Sequence, residues 1–390
     1  MQNLLKGDYM IEFFIKSFAL SHFISISLTQ VIFAFLTILL IYNIIKKRIY
    51  LEWNIIILLF ILYFIWIDIS HVVNIDRFNN LTKFFRHLFG WWHYLIFYVT
   101  YLVVKNTESK FRSILSYVLI GSTFASLYGV YQFIVLNQRA EGFYSHSLTF
   151  GNNLSLILII LYVLLITKTI TNKREFFIYM LAIIINLTGL FVSLSRGPFL
   201  ALLISIFILN IIAFKYKGSV FNIIIVVIFS IIIFSSQPLK QRAYDFFNDS
   251  WKISTSSFGT RVVLWKTSID IIKDNPIFGI GYDIKNEFKK RIKVPVSSMA
   301  HSHNSYLTVA VYHGVPALII LLLIFCYLFK FFWLNDNLLV KMSGIGILLV
   351  YLLEGLTENN FGDAEVTMLF WFLTGILYAL HTKSTNKVCL

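Results

Sequence analysis

The sequence predicts an all-α protein that crosses a lipid bilayer many times. Of its 390 residues, 58% are hydrophobic and 13% are charged, and the mean hydropathy is +0.77. Soluble domains carry about 25% charged residues, so this composition excludes a soluble protein, and we expect no nucleic-acid partner despite the net charge of +14. Because a membrane helix needs about 20 apolar residues, the chain has room for about twelve spans and for no large soluble catalytic domain.

Twelve apolar runs are long enough to form these spans. The first two are irregular because Lys16 and the serine-rich stretch 21–27 interrupt them, and a re-entrant or interfacial first helix is an alternative. We expect no cleavable signal peptide, since the first run lacks a small-residue cleavage site. In order, the predicted spans cover residues 10–26, 29–45, 53–69, 88–104, 113–135, 148–167, 176–194, 197–214, 219–236, 305–330, 338–355 and 364–381.

Basic residues predict the orientation of these spans. With a cytoplasmic N-terminus, fifteen Lys and Arg residues fall in cytoplasmic connections or in the C-terminal tail, whereas the short outer connections hold five. The outer connection 357–365 has three acidic residues and no cation. The positive-inside rule therefore predicts that both termini are cytoplasmic. The five outer cations are Arg77, Lys83, Arg86, Arg139 and Arg196.

One outer connection, residues 237–302, is much longer than the others. It carries 11 Lys and Arg residues against 6 Asp and Glu residues. Its apolar residues recur with a helical period between 261 and 273, which predicts a helix there. We predict an ordered, partly helical cap whose positive charge suits an anionic ligand. The predicted organisation is a membrane region of about nine helices over 1–236, a cap over 237–304 and a membrane region of three helices over 305–390.

Two arginines at predicted helix starts are candidates for binding an anion. Ser195 as N-cap and Pro198 as an early helical residue would place the guanidinium of Arg196 at the N-terminus of a helix. The alternative role for Arg196 is that of a snorkelling interfacial arginine. Arg261 begins the predicted helix of the cap, where the alternative is a solvated loop cation. Together with Arg196 it would form a bidentate clamp for phosphate.

The densest polar cluster at a predicted membrane boundary is the segment 300–307, which holds His301 and His303. With His313, these residues suggest a zinc site. However, no carboxylate or thiolate accompanies them at ligand spacing, so we predict no metal site. A neutral imidazole beside arginines suits a general base that accepts a hydroxyl proton.

Three other charged residues lie on the same predicted side of the membrane. Arg139 is one of them, and it either belongs to the candidate site or forms a local ion pair with Glu141. Glu354 and Glu358 lie around the end of the eleventh predicted span. A buried carboxylate needs a cationic partner, so we expect structural ion pairs with Arg or Lys at these two positions.

Two spaced motifs resemble those of the bacterial O-antigen ligase and polymerase superfamily. Arg196 and Leu200 match its Arg-x3-Leu element, and His303 and Gly314 match its His-x10-Gly element. Asn304, directly after the histidine, also fits the family. Each motif is short, but their order, spacing and predicted sidedness agree with the family together.

A third motif lies between these two. The segment 274–281 resembles the family's Pro-x-x-Gly-x-Gly turn, in which Gly279 and Gly281 supply the glycines. The resemblance is clearest over residues 139–317. The chain departs from the family at residues 315–316, Val-Pro, which affects the packing expected for that helix but not the histidine.

The resemblance implies an inverting glycosyltransferase of the GT-C kind that uses neither a metal nor another cofactor. Members take a glycan from undecaprenyl diphosphate at the outer face of the bacterial inner membrane. The acceptor is the lipid A core for ligases, another glycan for polymerases, or a protein serine or threonine for O-oligosaccharyltransferases. The His-x10-Gly spacing and the single long outer loop favour the ligase branch.

The resemblance also implies roles for the candidate residues. Arg196 and Arg261 would stabilise the charge of the diphosphate leaving group. His303 would act as general base on the acceptor hydroxyl. The residues that would bind or orient substrates are Arg139, His301, Asn304, Tyr306 and Lys266.

A transporter or flippase for a lipid-linked solute is the alternative from another functional class. It predicts charged residues at the bilayer midplane and two related halves of the chain. The candidate residues cluster instead at one predicted face, which favours chemistry at the membrane interface.

Overall fold

The computed structural model describes residues 2–77, 81–107, 111–170, 172–214, 257–294, 296 and 299–384. The predicted span 219–236 and the first part of the predicted cap, 237–256, lie outside the described residues. Within the described residues every regular element is helical and no strand occurs.

Fourteen α-helices follow one another in the described residues, and three short 3-10 turns join some of them. The 3-10 turns are Ile75–Arg77, Gly90–Tyr94 and Asn360–Gly362. The helices are α1 (Gln2–Ser21), α2 (Ile26–Ile45), α3 (Ile55–Val73), α4 (Leu81–Leu88), α5 (Leu95–Asn106), α6 (Phe111–Ile134), α7 (Ser147–Ile166), α8 (Lys173–Val192), α9 (Arg196–Phe214), α10 (Ser257–Asp274), α11 (Ile284–Arg291), α12 (Ser305–Trp333), α13 (Leu338–Glu354) and α14 (Ala364–Ser384).

Eight of the described helices are long and apolar enough to cross a membrane: α2, α3, α6, α7, α8, α9, α12 and α14. The polytopic, all-helical class predicted from the sequence is thus confirmed, while the number of twelve spans stays a prediction. The helix predicted over 261–273 is present as α10.

One predicted span, 88–104, is wrong as a single helix. The chain forms the 3-10 turn Gly90–Tyr94 and then the twelve-residue helix α5, which is about 18 Å long. The turn is held by Trp91, whose indole stacks on Phe64 at 4.2 Å between ring centroids and donates to the carboxylate of Asp68 at 3.1 Å. These tertiary contacts break a run that hydropathy alone predicts to be continuous.

The helices form one bundle with α7 and α14 at its centre. Trp371 and Phe370 of α14 are completely buried, and α14 packs against both α5 and α7. Helix α12 packs against α3, and α13 packs against α7 and α9. The two predicted membrane regions therefore share a hydrophobic core. The division into three parts stays a prediction.

Helix α12 is broken at Gly314, whose φ of +83° and ψ of 171° are not helical. A Cβ at this position would lie 1.8 Å from the carbonyl oxygen of Ile277, so only glycine fits. The amide of Val315 donates to the carbonyl oxygen of Pro276 at 2.8 Å instead of to its own helix. Pro316 follows directly and has no N–H to donate. The Val-Pro pair that departs from the family motif therefore lies at the break.

The turn 276–281 forms hydrogen bonds with the backbone groups of α12 that have no helical partner at the break. The amides of Ile280 and Gly281 donate to the carbonyl oxygens of Val311 and Tyr312 at 2.8 and 2.9 Å. Gly279 has φ +61°, and a Cβ there would lie 2.5 Å from the carbonyl oxygen of Val311. Because buried backbone groups must be paired, the turn and the break stabilise each other.

Candidate functional site

His303 lies in the turn that precedes α12 and forms the centre of the site. Its Nδ1 is 3.1 Å from Oε2 of Glu358, in the turn that follows α13. A carboxylate only accepts hydrogen bonds, so Nδ1 carries the hydrogen, which leaves Nε2 as the nitrogen that can accept a proton. The side chain is 21% exposed. A partly exposed imidazole held by a carboxylate is the arrangement of a general base.

Glu358 is an ionised carboxylate that is bound to Arg261 and to His303. Its side chain is only 8% exposed, and its Oε1 accepts from the guanidinium of Arg261. Burial by itself would raise the pKa of Glu358, but the hydrogen bond from His303 and the charge of Arg261 lower it below its usual value. Arg261 also donates through Nε to the carbonyl oxygen of Thr357 at 3.1 Å. The expectation of an ion pair at Glu358 is therefore met by a residue of α10.

His301 stabilises the turn that contains His303 through a hydrogen bond. The amide of His303 donates to Nδ1 of His301 at 3.1 Å, and the two rings lie 4.3 Å apart. Burial, followed by the neighbouring His303, lowers the pKa of His301 to about 4, so this imidazole is neutral at neutral pH. His303 itself has φ +48°, a conformation that costs a non-glycine residue about 1 kcal/mol. The bond to His301 helps to hold that conformation.

Asn304 and Ser305 fix the start of α12 to the turn that carries Glu358. Asn304 caps α12 through its side chain and donates to the carbonyl oxygen of Leu356 at 3.0 Å. The hydroxyl of Ser305, completely buried, donates to the carbonyl oxygen of Glu358 at 2.8 Å and accepts from the amide of Phe361 at 3.2 Å. These bonds set the distance between His303 and Glu358.

Helix α10 covers the other side of the histidine turn. The indole of Trp265 donates to the carbonyl oxygen of His303 at 3.4 Å, and the hydroxyls of Ser268 and Ser302 lie 2.8 Å apart. Lys266, next to Trp265, is exposed. The hydroxyl of Tyr306 donates to the carbonyl oxygen of Leu352 at 2.8 Å, within the bundle.

Arg196 is the first residue of α9 and is exposed. A Cβ on the next residue, Gly197, would lie 3.1 Å from the hydroxyl of Thr357. The N-terminus of α9 therefore packs against the residue that precedes Glu358, and Arg196 lies at the same end of the bundle as His303. Leu200, one turn later in α9, is 54% exposed.

Arg139 supports the turn that leads into α9. Its Nε and Nη2 donate to the carbonyl oxygen of Ser193 at 3.2 and 3.1 Å, and Nη2 also lies 3.4 Å from the hydroxyl of Ser195. That hydroxyl donates to the carbonyl oxygen of Ser147 at the start of α7. Arg139 thus helps to position Arg196 through the backbone between them.

The structure brings five of the sequence-predicted site residues to the turns around Glu358: Arg196, Arg261, His301, His303 and Asn304. Sequence reasoning did not assign Glu358 or Ser305 to the site. A carboxylate at the end of a span was a visible signal for Glu358, but the partner that gives it a role lies 55 residues away in sequence. The clamp of Arg196 with Arg261 stays a prediction, and Arg261 is bound to Glu358 here.

Comparison with known families supports the resemblance that the motifs predicted. Residues 181–322 match the family model described as O-antigen ligase. Over this segment the match supports the predicted resemblance to the O-antigen ligase superfamily. No curated protein matches the chain. The matched segment includes Arg196, Arg261 and His303, whereas Arg139 and Glu358 lie outside it.

Proposed function

We propose that this chain, whose central segment is that of the O-antigen ligase superfamily, moves a glycan from undecaprenyl diphosphate to the lipid A core. The observation that carries this proposal is the pair of His303 and Glu358, which is bound to Arg261 and lies at the same end of the membrane bundle as Arg196. A general base and cations at the membrane interface suit transfer from a donor whose leaving group is a lipid diphosphate.

The chemistry is one displacement at the anomeric carbon. The acceptor hydroxyl oxygen attacks this carbon from the side opposite the diphosphate, and its proton passes to Nε2 of His303. The bond from the anomeric carbon to the diphosphate oxygen breaks, and the electron pair stays on that oxygen. The attack from the opposite side inverts the configuration. Arg196 and the N-terminus of α9 stabilise the negative charge that develops on the leaving group.

Glu358 orients His303 and stabilises the imidazolium that forms during the transfer. Because Glu358 is ionised and accepts from Nδ1, it favours the ring that gains a proton at Nε2. Arg261 keeps Glu358 charged and occupies one of its oxygens. The arrangement needs no metal and no other cofactor, because the donor arrives activated.

The proposed location of this site is the outer face of the bacterial inner membrane, with both termini cytoplasmic. The distribution of Lys and Arg between the connections supports this orientation. Polymerase and protein-acceptor activities would use the same donor chemistry, so the acceptor decides among them. A transporter would place its polar site near the bilayer midplane, whereas the pairs described here lie at helix ends.

The test is glycan transfer by purified protein in detergent with EDTA present. The donor is an undecaprenyl-diphosphate-linked glycan, and the acceptor is either rough lipopolysaccharide or a second donor molecule. The variants are His303→Ala and Arg196→Ala. Matched controls are His381→Ala and Arg48→Ala, which remove the same side chains at sites away from the turns around Glu358.

We expect product on the lipid A core with wild type and with both controls, and its loss in His303→Ala and Arg196→Ala. A lengthened donor glycan would identify a polymerase instead. Normal transfer by folded Arg196→Ala protein would contradict the proposed site. Absence of product with both acceptors, from folded wild-type protein and intact donor, would direct attention to protein acceptors and to transport.

A further inference from the structure

The segment 284–293, which comprises the short helix α11 and the two residues after it, presents three exposed lysines beside its buried side. Ile284, Phe288 and Ile292 recur every four residues and are at most 8% exposed, packed against Leu264 and Ile271 of α10. Lys285, Lys289 and Lys293 follow each of these residues by one position and are all exposed. Because residues four apart share a helix face, Lys285 and Lys289 lie on one face of α11, and Lys293 follows two residues after the helix ends at Arg291.

Two of the acidic groups near α11 are bound to other cations, and a third, Asp283, accepts from the side-chain amide of Asn286 at 2.7 Å. Arg291 pairs with Asp274 at 2.7 Å and with Glu287 at 2.8 Å, and Lys290 lies 3.5 Å from Glu287. In the part of the chain that the structure describes, no ion pair involves the three exposed lysines: Lys285, Lys289 and Lys293. Their charge is therefore available to a ligand.

The positions of these lysines indicate the ligand chemistry. Lys285 and Lys289 are four residues apart, or about 6 Å along the helix, and Lys293 lies just beyond the end of α11. Ammonium groups bind phosphate as point charges, so these three lysines complement a ligand that carries several phosphoryl groups. The apolar residues of α11 face α10, so the exposed side offers charge and not apolar surface.

Helix α10 connects these lysines to the candidate site. One side of α10 packs against α11 through Leu264 and Ile271. Trp265 and Ser268 of the same helix bind the turn of His303. The segment that carries the three lysines therefore packs directly against a helix of the site.

We propose that Lys285, Lys289 and Lys293 bind the phosphoryl groups of the acceptor glycolipid's saccharide and so bring that acceptor to the enzyme. This assignment rests on the proposed function, because it names the acceptor of the same site. It concerns binding alone and involves no bond-making step.

The test therefore measures binding and not turnover. The full-length protein in uncharged detergent is titrated calorimetrically with deacylated lipid A core oligosaccharide that carries its phosphates. A parallel titration uses the same oligosaccharide after chemical dephosphorylation. The variants are Lys285→Gln/Lys289→Gln/Lys293→Gln and the charge-conserving control Lys285→Arg/Lys289→Arg/Lys293→Arg.

We expect wild type to bind the phosphorylated oligosaccharide about tenfold more tightly than the dephosphorylated one, the scale of three exposed ion pairs. This preference should weaken with added salt, disappear in the glutamine variant and persist in the arginine variant. Equal binding of the two oligosaccharides by wild type, or an unchanged preference in the glutamine variant, would overturn the proposal.

A further titration separates the glycolipid from membrane phospholipid. Nanodiscs of phosphatidylglycerol are added at the same phosphate concentration. If they remove the lysine-dependent binding, the three lysines form a phospholipid surface and the assignment is overturned. Lysine-dependent binding without glycan transfer would contradict the proposed function but would support phosphate binding by the three lysines. Glycan transfer without a phosphate preference would contradict only the role of the lysines.

Discussion

Glu354 and Glu358 lie one helical turn apart and have opposite kinds of partner. Glu358 is bound to Arg261 and His303, two groups that carry or can take a positive charge. Glu354, at the end of α13, is only 1% exposed, and its carboxylate accepts from the hydroxyl of Ser155 and from the amide of Asn360 at 3.0 Å. Both side chains are buried, but among the described residues only Glu358 has a cation beside it, so the ion pair expected at Glu354 is not found there.

This difference indicates which of the two polar regions, that of Glu354 or that of Glu358, can perform chemistry. Around Glu354 the hydrogen bonds come from amide and hydroxyl groups. Asn152 donates to Asn360 at 2.8 Å, and Thr149 donates to Asp363 at 2.7 Å. These bonds join α7 to the 3-10 turn before α14 and hold the framework. Around Glu358 the hydrogen bonds end on an imidazole whose second nitrogen can accept a proton. Substitutions in the two regions should therefore have different consequences.

The largest expected effect is that of His303→Ala. Loss of a general base lowers kcat by about 100-fold to 10,000-fold, while the KM for the lipid-linked donor should change little, since the arginines remain. Steady-state transfer kinetics measure both constants. A kcat within a factor of about three of wild type, from folded protein, would mean that His303 is not the base.

A smaller effect is expected for Ser305→Ala. This hydroxyl sets the position of Glu358 relative to His303, and a misplaced catalytic group lowers rate more than binding. We expect kcat to fall about tenfold with KM unchanged, and Ser305→Cys to recover part of the loss. A fall in thermal stability with unchanged kcat would show that Ser305 serves the framework only, like the residues around Glu354.

The smallest expected effect is on acid stability through His301. Its pKa is lowered to about 4 in the folded protein, against 6.5 for an unperturbed histidine. Between pH 6.5 and about 4 the unfolded chain binds more protons, so folding stability falls as the pH falls. Melting temperatures of wild type should drop between pH 7 and pH 5, and those of His301→Gln should drop less. An equal drop in both proteins would contradict a neutral His301.

Hydropathy predicted most of the membrane helices because lipid imposes length and composition directly. It was wrong at 88–104, where the contacts of Trp91 with Phe64 and Asp68 form a 3-10 turn. Those partners come from α3, and a local apolar pattern holds no information about them.

The site was predicted in part for the same reason. The family motifs contain Arg196, His303 and Gly314, and Gly314 has the left-handed φ that a side chain does not tolerate. The role of Glu358 depends on the packing of α10 and α12 against the turn after α13, which brings Arg261 and His303 to one carboxylate. Sequence spacing predicts that a buried carboxylate needs a partner but does not identify which cation it meets.

The most direct test of the central claim compares Glu358→Gln with Glu354→Gln in the same transfer assay. We expect Glu358→Gln to lower kcat about 10-fold to 100-fold, because His303 loses its charged partner and its orientation. We expect Glu354→Gln to stay within about threefold of wild type, since the glutamine can accept from Asn360 through its oxygen and donate to the hydroxyl of Ser155 through its nitrogen. Equal losses of kcat in the two folded variants would contradict the assignment of Glu358 to the chemistry and of Glu354 to the framework.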